Sequence, residues 1–336
     1  MNDFLEEYGA RFDATKRITD FGDRRAELSA AQAGAILVDQ RHRDRLELSG
    51  SDAASFLNRL LTFAVHEIDV GAGCRPFMLD SRGRILLAFE CLRVDDDRFI
   101  VDAIAGHGEA VSSRIDMFHF GEDFAIADIS DKTAMMSVAG PKAADILESL
   151  SLPQPGERWS HAATPLGGAP VRVIRSGRIA APTFDIWTSR SHFETTWRLI
   201  VEAGATPAGE HAIEALRLQG GTPAYPSEFG EHSTPLDAGG IDGLTDGKGC
   251  YPGQEVIERT IAMGRPALSL VAVQSEADVS EGSRVTLDEK DIGSVTSGAL
   301  LGDGNWIGLA LIKTRYKDTE SWRAGSSPLT PRMTES

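Results

Sequence analysis

The sequence predicts an α+β fold of mainly antiparallel sheets with flanking helices, ending in a small β-barrel. Helix and strand patterns alternate without the regular period of parallel βαβ units. The runs FMLDSRGRILLAFECLRV and DDDRFIVDA read as antiparallel strands joined through an acidic turn, with a second turn at Ser81-Arg82-Gly83. Beyond about Pro266 the helical signal ends, and LSLVAVQ, SRVTLDE, DIGSVTSGAL and NWIGLALIK remain as short strands separated by Gly, Asp and Asn. That is the pattern of a small antiparallel barrel or sandwich.

Each element has a local reason. Phe4, Leu5, Tyr8 and Phe12 repeat at helical spacing and predict an opening amphipathic helix. ILVD and RLELSG follow as strands, and Ser51 is a candidate N-cap for a helix carrying Phe56, Leu57, Leu60 and Leu61. A similar unit recurs where MMSVAG leads into Pro141, at a first helical position, and a helix with Ile146, Leu147 and Leu150. Both units read GxxAAxxL, at Gly50 to Leu57 and Gly140 to Leu147. PVRVIRSG and TFDIWTS are further strands; Phe193, Trp197, Ile200 and Val201 then mark a helix that stops at Gly204. The polar segment from Ala324 to Ser336 is expected to fray as a tail.

A chain of 336 residues is longer than one ordinary core, since single cores stop growing near roughly 250 residues. Its net charge of −16 argues against generic attraction to nucleic acid or anionic lipid. No apolar run approaches the ~18 residues of a membrane span, and the N-terminus lacks a secretion signal. The three cysteines, Cys74, Cys91 and Cys250, form no CxxC pair, so a reducing cytoplasm is expected. The eight histidines show no metal-ligand spacing, and no metal site is expected. GDGNWIG, Gly302 to Gly308, misses a dinucleotide fingerprint by one position and reads as a hairpin turn.

Cys74 and Cys91 lie in apolar strand-like runs and read as buried packing residues. Cys250 differs: in LTDGKGCYPGQEVIERT it follows Gly247-Lys248-Gly249 and precedes a Tyr-Pro-Gly-Gln turn. If Val256 and Ile257 begin an ordered element, a helix N-terminus and the Lys248 ammonium would both favour a thiolate. Two readings stand at this point, a reactive thiol or a small side chain filling a gap in a tight turn. Gln254 and Glu255 supply an amide and a carboxylate suited to a heterocycle with adjacent N–H and C=O groups. Upstream, Arg217, Tyr225, Glu228 and Asp237 suit either a flat polar ligand with an acidic tail or a salt-bridged surface.

KGCYPGQE, Lys248 to Glu255, resembles the signature of the YgfZ family, folate-binding relatives of the glycine-cleavage T-protein linked to iron-sulfur protein maintenance. LELSGSDAASFLNRLLT, MLDSRGRILLAF, SVAGPKAADIL, ALRLQGGTPAYPSEFGEHSTPLDAG and GSVTSGALLGDGNWIGLALIK are similar to successive T-protein segments. The resemblance implies a T-protein-like (aminomethyltransferase) fold around a central pocket. Its folate-binding region would comprise 1–50 with 135–260 and the insert 51–134, followed by a barrel over 266–323 and a tail over 324–336.

The resemblance also implies a tetrahydrofolate-type cofactor and iron-sulfur client or assembly proteins as partners. Cys250 would be the functional thiol and Lys248 its electrostatic partner. Gly249, Tyr251 and Gly253 would form the motif loop, with Gln254 and Glu255 orienting it. Arg217, Tyr225, Glu228, Asp237 and Asp185 would line the folate site. T-proteins carry a catalytic aspartate where Ala88 stands here, which speaks against aminomethyl transfer. RSGRIAAPTFDI, Arg175 to Ile186, keeps Arg175, Gly177, Phe184 and Asp185 of a second motif but loses its acidic centre. A one-carbon transferase using Asp80, or a non-catalytic folate-binding scaffold, are the alternatives.

Overall fold

A computed structural model of the chain describes residues 4–301 and 304–334. The chain divides into two compact units. One comprises Met1–Ala53, Ile68–Cys74 and Glu90–Leu216; the other comprises Ala54–Glu67, Arg75–Phe89 and Arg217–Ser336.

The first unit holds two sheets. A six-stranded sheet runs in the order His161–Leu166, Ala169–Arg175, Thr183–Ser189, Thr133–Ala139, Ile36–Asp39, Thr206–Pro207, antiparallel except for its last pair. Its central strands are buried along nearly their whole length, their polar residues Ser137 and Asp185 included. The helix Phe193–Glu202 belongs to its core, with Trp197 and Ile200 fully buried alongside Leu37, Val138 and Ile186. A five-stranded antiparallel sheet orders Ala125–Asp128, Asp44–Ser49, Arg98–Ala103, Glu90–Asp95 and Gly73–Cys74. Cys74 and Cys91 are paired opposite each other in its register, both buried and outside any disulfide.

The two GxxAAxxL stretches share one geometry. Gly50 and Gly140 have φ of +134° and +120°, and the carbonyl of each accepts the N–H three residues on at 3.0 Å. A Cβ would lie 2.1 Å from the Asp123 carbonyl oxygen at Gly50 and 2.6 Å from the Gly34 carbonyl oxygen at Gly140. Only glycine permits this strand-to-helix turn against a neighbouring backbone.

In the second unit a hairpin pairs Phe77–Leu79 with Ile85–Ala88, and the helix Gln254–Met263 leads into a closed six-stranded barrel. The barrel order is Leu268–Ser275, Trp306–Lys313, Lys290–Leu300, Arg284–Leu287, Trp322–Ala324, Ser327–Pro331, with Val273 pairing Pro331 to close it. Its interior is filled by Val273, Val285, Ile292, Val295, Trp306, Trp322 and Leu329.

Several local expectations need correction. The opening helix is a single 3₁₀ turn, Phe4–Tyr8, that stops at Gly9; Phe12 belongs to a short strand paired with Ile18–Asp20. Ser51 does not cap the helix Ala53–Leu60, because its hydroxyl and its N–H both donate to the Asp123 carboxylate. Pro141 sits in the turn before the helix Ala143–Ser149, whose N-cap is Lys142. The expected tail from Ala324 supplies Ser327–Pro331, the strand that closes the barrel, because Leu329 is apolar and fully buried. Residues 302 and 303 of the expected GDGNWIG turn, and 335 and 336 of the tail, lie outside the described residues.

Two histidines of the first unit tie its stability to pH. Burial, with Arg43 and Arg17 nearby, pushes His42 down to about 3, and burial beside Arg172 pushes His161 down to about 4. Below the ordinary value of 6.5 the unfolded chain takes up protons that the folded chain refuses. Their contribution is therefore complete above pH 6.5 and is lost as pH falls toward 4 and 3. Glu210, raised to about 7, acts in the opposite sense over the same window, so the test is the difference: between pH 7 and about 4.5 the urea midpoint of the double variant His42→Gln/His161→Gln is expected to drop less than that of the parent. An unchanged slope in that variant would remove this account.

Candidate functional site

The KGCYPGQE segment is held from two sides within the second unit. Lys248 is buried, and its ammonium donates to the carbonyls of Asn58 and Leu61. These are carbonyls at the C-terminal end of the helix Ala53–Leu60, where no intrahelical partner exists and the helix dipole is negative. The Tyr251 ring lies 5.0 Å from the same ammonium, and burial, with Glu258 nearby, pushes the Tyr251 phenol up to about 12. Thr62 extends the connection: its Oγ1 donates to the Gly243 carbonyl at 2.7 Å and accepts the Phe77 N–H at 2.9 Å. Lys248, expected as the electrostatic partner of the thiol, thus has its ammonium on the carbonyls of a helix end.

On the other side, Gly253 is the N-cap of the helix Gln254–Met263, with φ +82°. A Cβ there would lie 2.5 Å from the Asp80 carbonyl oxygen and 3.0 Å from Gly83 Cα, so the motif glycine rests directly on the hairpin turn. Asp80 Oδ1 accepts the N–H groups of Arg82 and Arg84, which commits that oxygen to shaping the turn. Gln254 joins loop to helix, its amide donating to the Lys248 carbonyl at 3.3 Å and to Glu258 at 2.6 Å. Glu255 is exposed in the first helical turn, a favourable place for a negative charge. Cys250 is exposed, unlike the other two cysteines, and precedes the N-cap by three residues. The loop therefore presents a thiol to solvent on a backbone fixed at Lys248 and at Gly253.

Four of the residues assigned to a ligand are also in this unit, and protein groups occupy them. Glu228 is fully buried; its Oε2 accepts from Arg217 Nη1 at 2.9 Å and from the Ala224 N–H at 2.8 Å, while Oε1 accepts from Ser297 Oγ at 2.6 Å. Arg217 also donates to the Thr222 carbonyl. The Tyr225 hydroxyl donates to the Leu86 carbonyl at 3.0 Å. Asp237 accepts from the Thr234 N–H and hydroxyl through one oxygen and from the Leu268 N–H through the other. These contacts tie the segment 217–237 to the hairpin and the barrel. Each of the four therefore has a protein partner in this structure.

Asp185 belongs to the first unit, in a buried charge network that the sequence did not announce. Its Oδ1 accepts from Ser137 Oγ and Arg178 Nη2, both at 2.6 Å, and Arg178 Nη1 reaches Asp102 at 3.0 Å. Arg43 bridges Asp102 and Glu90 at 2.7 Å each, with Arg45 3.5 Å from Asp102. Burial opposes ionisation of Asp102, but Arg43, Arg45 and Arg178 outweigh it and hold the carboxyl below its ordinary range. Arg45 lies in the strand Asp44–Ser49 and Arg43 in the bend before it.

Ala88 ends a hairpin strand opposite Phe77, in an apolar cluster with Leu79, Ile85, Phe229 and Ile257. No carboxylate stands at that position. Among the described residues no group of three or more His, Cys, Asp or Glu side chains could hold a metal ion, and no helix is long and apolar enough to cross a membrane.

The paired sheets, the hairpin beneath the KGCYPGQE loop and the closing barrel define a T-protein-type fold. The crystal structure of aminomethyltransferase T of the glycine cleavage system from Bartonella henselae matches it with a TM-score of 0.86, covering 98% of this chain and 95% of that one at 19% identity. The GCVT N-terminal domain matches residues 4–241, and the chain belongs to that family. In sequence it is similar to a chloroplast protein of Arabidopsis thaliana named as a transferase, 27% identical over 93% of this chain and 74% of that one. It is also similar to the aminomethyltransferase of Streptomyces avermitilis, 28% identical over 83% of this chain and 78% of that one.

The loop geometry sets two expectations for urea unfolding. Lys248→Met leaves the two helix-end carbonyls without their donor and is expected to cost roughly 2–4 kcal/mol. Gly253→Ala is expected to cost about 1–3 kcal/mol. Gly249→Ala, where a Cβ meets nothing within 4 Å, is expected to change stability by under about 0.5 kcal/mol. Equal effects at the two glycines would contradict the packing described.

Proposed function

We propose that this chain is a folate-binding, YgfZ-like member of the T-protein family that supports assembly or repair of iron-sulfur proteins, with Cys250 as its working thiol. The observation that carries the reading is the KGCYPGQE loop. Its lysine, tyrosine, second glycine and glutamine hold structure, while its cysteine faces solvent. A side chain kept accessible on so constrained a backbone suits chemistry with an external group better than gap filling.

Aminomethyl transfer is the second reading, favoured by the fold and by the names of the relatives. Against it stands Ala88, which can neither take a proton nor stabilise a cation, and which sits among apolar side chains. Asp80 is a poor substitute because the turn employs its Oδ1.

The folate part rests on family membership. Arg217, Tyr225, Glu228 and Asp237 of the second unit are bound to protein partners, as is Asp185 of the first. No chemical step is assigned through the folate. A scaffold that uses folate without the thiol is the remaining contrast.

Two measurements separate these readings. In a strain lacking the family protein, Cys250→Ala is expected to abolish rescue of iron-sulfur enzyme activity, and Cys250→Ser to do the same. Full rescue by either would sink the role of the thiol. Titration of the purified protein with tetrahydrofolate and its 5-formyl and 5,10-methylene forms is expected to saturate below millimolar ligand, and no saturation would remove the folate half.

A further inference from the structure

The first unit carries a cleft that the KGCYPGQE loop and the assigned folate residues do not explain. Its volume is about 680 Å³, within the range of small-molecule sites, and Lys16, Arg17, Asp39, Arg41, His42 and Arg190 are in its lining. Four cations face one carboxylate, leaving three net positive charges in a chain of net charge −16. The carboxylate is already neutralised: Arg41 Nε and Nη2 grip Asp39 at 2.7–3.0 Å. Arg17 is held at the rim, Nε donating to Thr15 at 3.2 Å and lying 3.5 Å from Asp13.

Lys16 and Arg190 are different. Among the described residues neither side chain has a hydrogen-bond or ion-pair partner, although both line the cleft. Lys16 has φ +64°, an uncommon conformation for a residue with a Cβ. Behind the lining, Glu210 lies 3.8 Å from His42, its Oε1 sealed from solvent, and burial pushes its carboxyl up to about 7. At neutral pH it offsets only part of the positive charge. The depressed proton affinity of His42, caused by burial and then by Arg43 and Arg17, agrees with a positive field at the cleft.

We propose that this cleft is a binding site for a small phosphorylated molecule, gripped through its phosphate by Lys16, Arg17 and Arg190. Guanidinium forks match phosphate oxygens in pairs, and a lysine ammonium adds a point charge that adapts to a tetrahedral dianion. Arg41 is fixed by Asp39 and serves as the wall against which the anion rests. The site is independent of the proposed thiol chemistry and survives if that reading fails.

Calorimetric titration of the full chain with inorganic pyrophosphate, at ionic strength matched with sodium chloride, tests this. Saturable one-site binding is expected, weakened roughly tenfold or more in the double variant Lys16→Ser/Arg190→Ser. Both side chains are exposed, and unchanged circular dichroism of the variant excludes misfolding as the cause. Lys317→Ser, an exposed cation of the second unit, is expected to bind as the parent does. Absence of saturation, full retention of binding in the double variant, or an equal loss in Lys317→Ser would overturn the proposal. Citrate binding as tight as pyrophosphate would overturn the assignment to phosphate.

Discussion

The ammonium of Lys248 against the carbonyl end of the helix Ala53–Leu60 is the contact on which the KGCYPGQE loop depends. A buried cation is tolerable only where fixed dipoles replace its water. The helix end provides two carbonyls and its negative pole, and the Tyr251 ring provides a further electron-rich face. With Lys248 anchored, Thr62 and Thr245 join the chain before the loop to the segment after the helix. Gly253 can then settle on the hairpin turn, and the helix Gln254–Met263 starts from a defined point. Cys250 inherits this rigidity without being buried. That combination separates it from Cys74 and Cys91, which are inert by burial.

Ionic contacts between distant segments hold the rest of the frame. In the second unit, Glu228 joins Arg217 to Ser297 on a barrel strand; in the first, Asp102 gathers Arg43, Arg45 and Arg178 from separate elements. Such pairs contribute little net stability over apolar packing, but losing one partner leaves an uncompensated charge and costs about 3–5 kcal/mol. Their effect is to make alternative registers expensive. An acidic chain can thus keep its arginines inside and still leave a positive cleft at Lys16 and Arg190.

The parts of the fold legible in the sequence are those governed by short-range periodicity. The barrel strands, the hairpin about Ser81-Arg82-Gly83 and the helix after Arg190 follow from alternation, turn residues and helical spacing. What was misread depended on partners far along the chain. Lys248 was read beside its sequence neighbour Cys250, whereas its acceptors are near residue 60. Arg217, Glu228 and Asp237 have the composition of a ligand site, yet the groups that satisfy them include Ser297 and Leu268 of the barrel. Ser51 looked like a cap until Asp123 claimed its hydroxyl. The segment after Ala324 looked like a tail, yet its strand pairs locally with Trp322–Ala324 and, more than fifty residues away, with Val273.

The same dependence on surroundings bears on Ala88. Phe77, Leu79, Ile85, Phe229 and Ile257 make its environment apolar, so an aspartate there would meet a desolvation penalty and a raised pKa. A carboxylic acid kept neutral by its site is a weak base toward a reacting amine or folate. On the proposed reading, an aspartate at residue 88 would therefore not by itself be a working base, because the cluster around the position is organised for packing. If the frame performs chemistry, its reactive group must be one that the fold holds in place and leaves accessible. In the KGCYPGQE loop, Lys248, Tyr251 and Gln254 are engaged by protein partners, Gly253 rests on the hairpin, and the thiol of Cys250 meets both conditions.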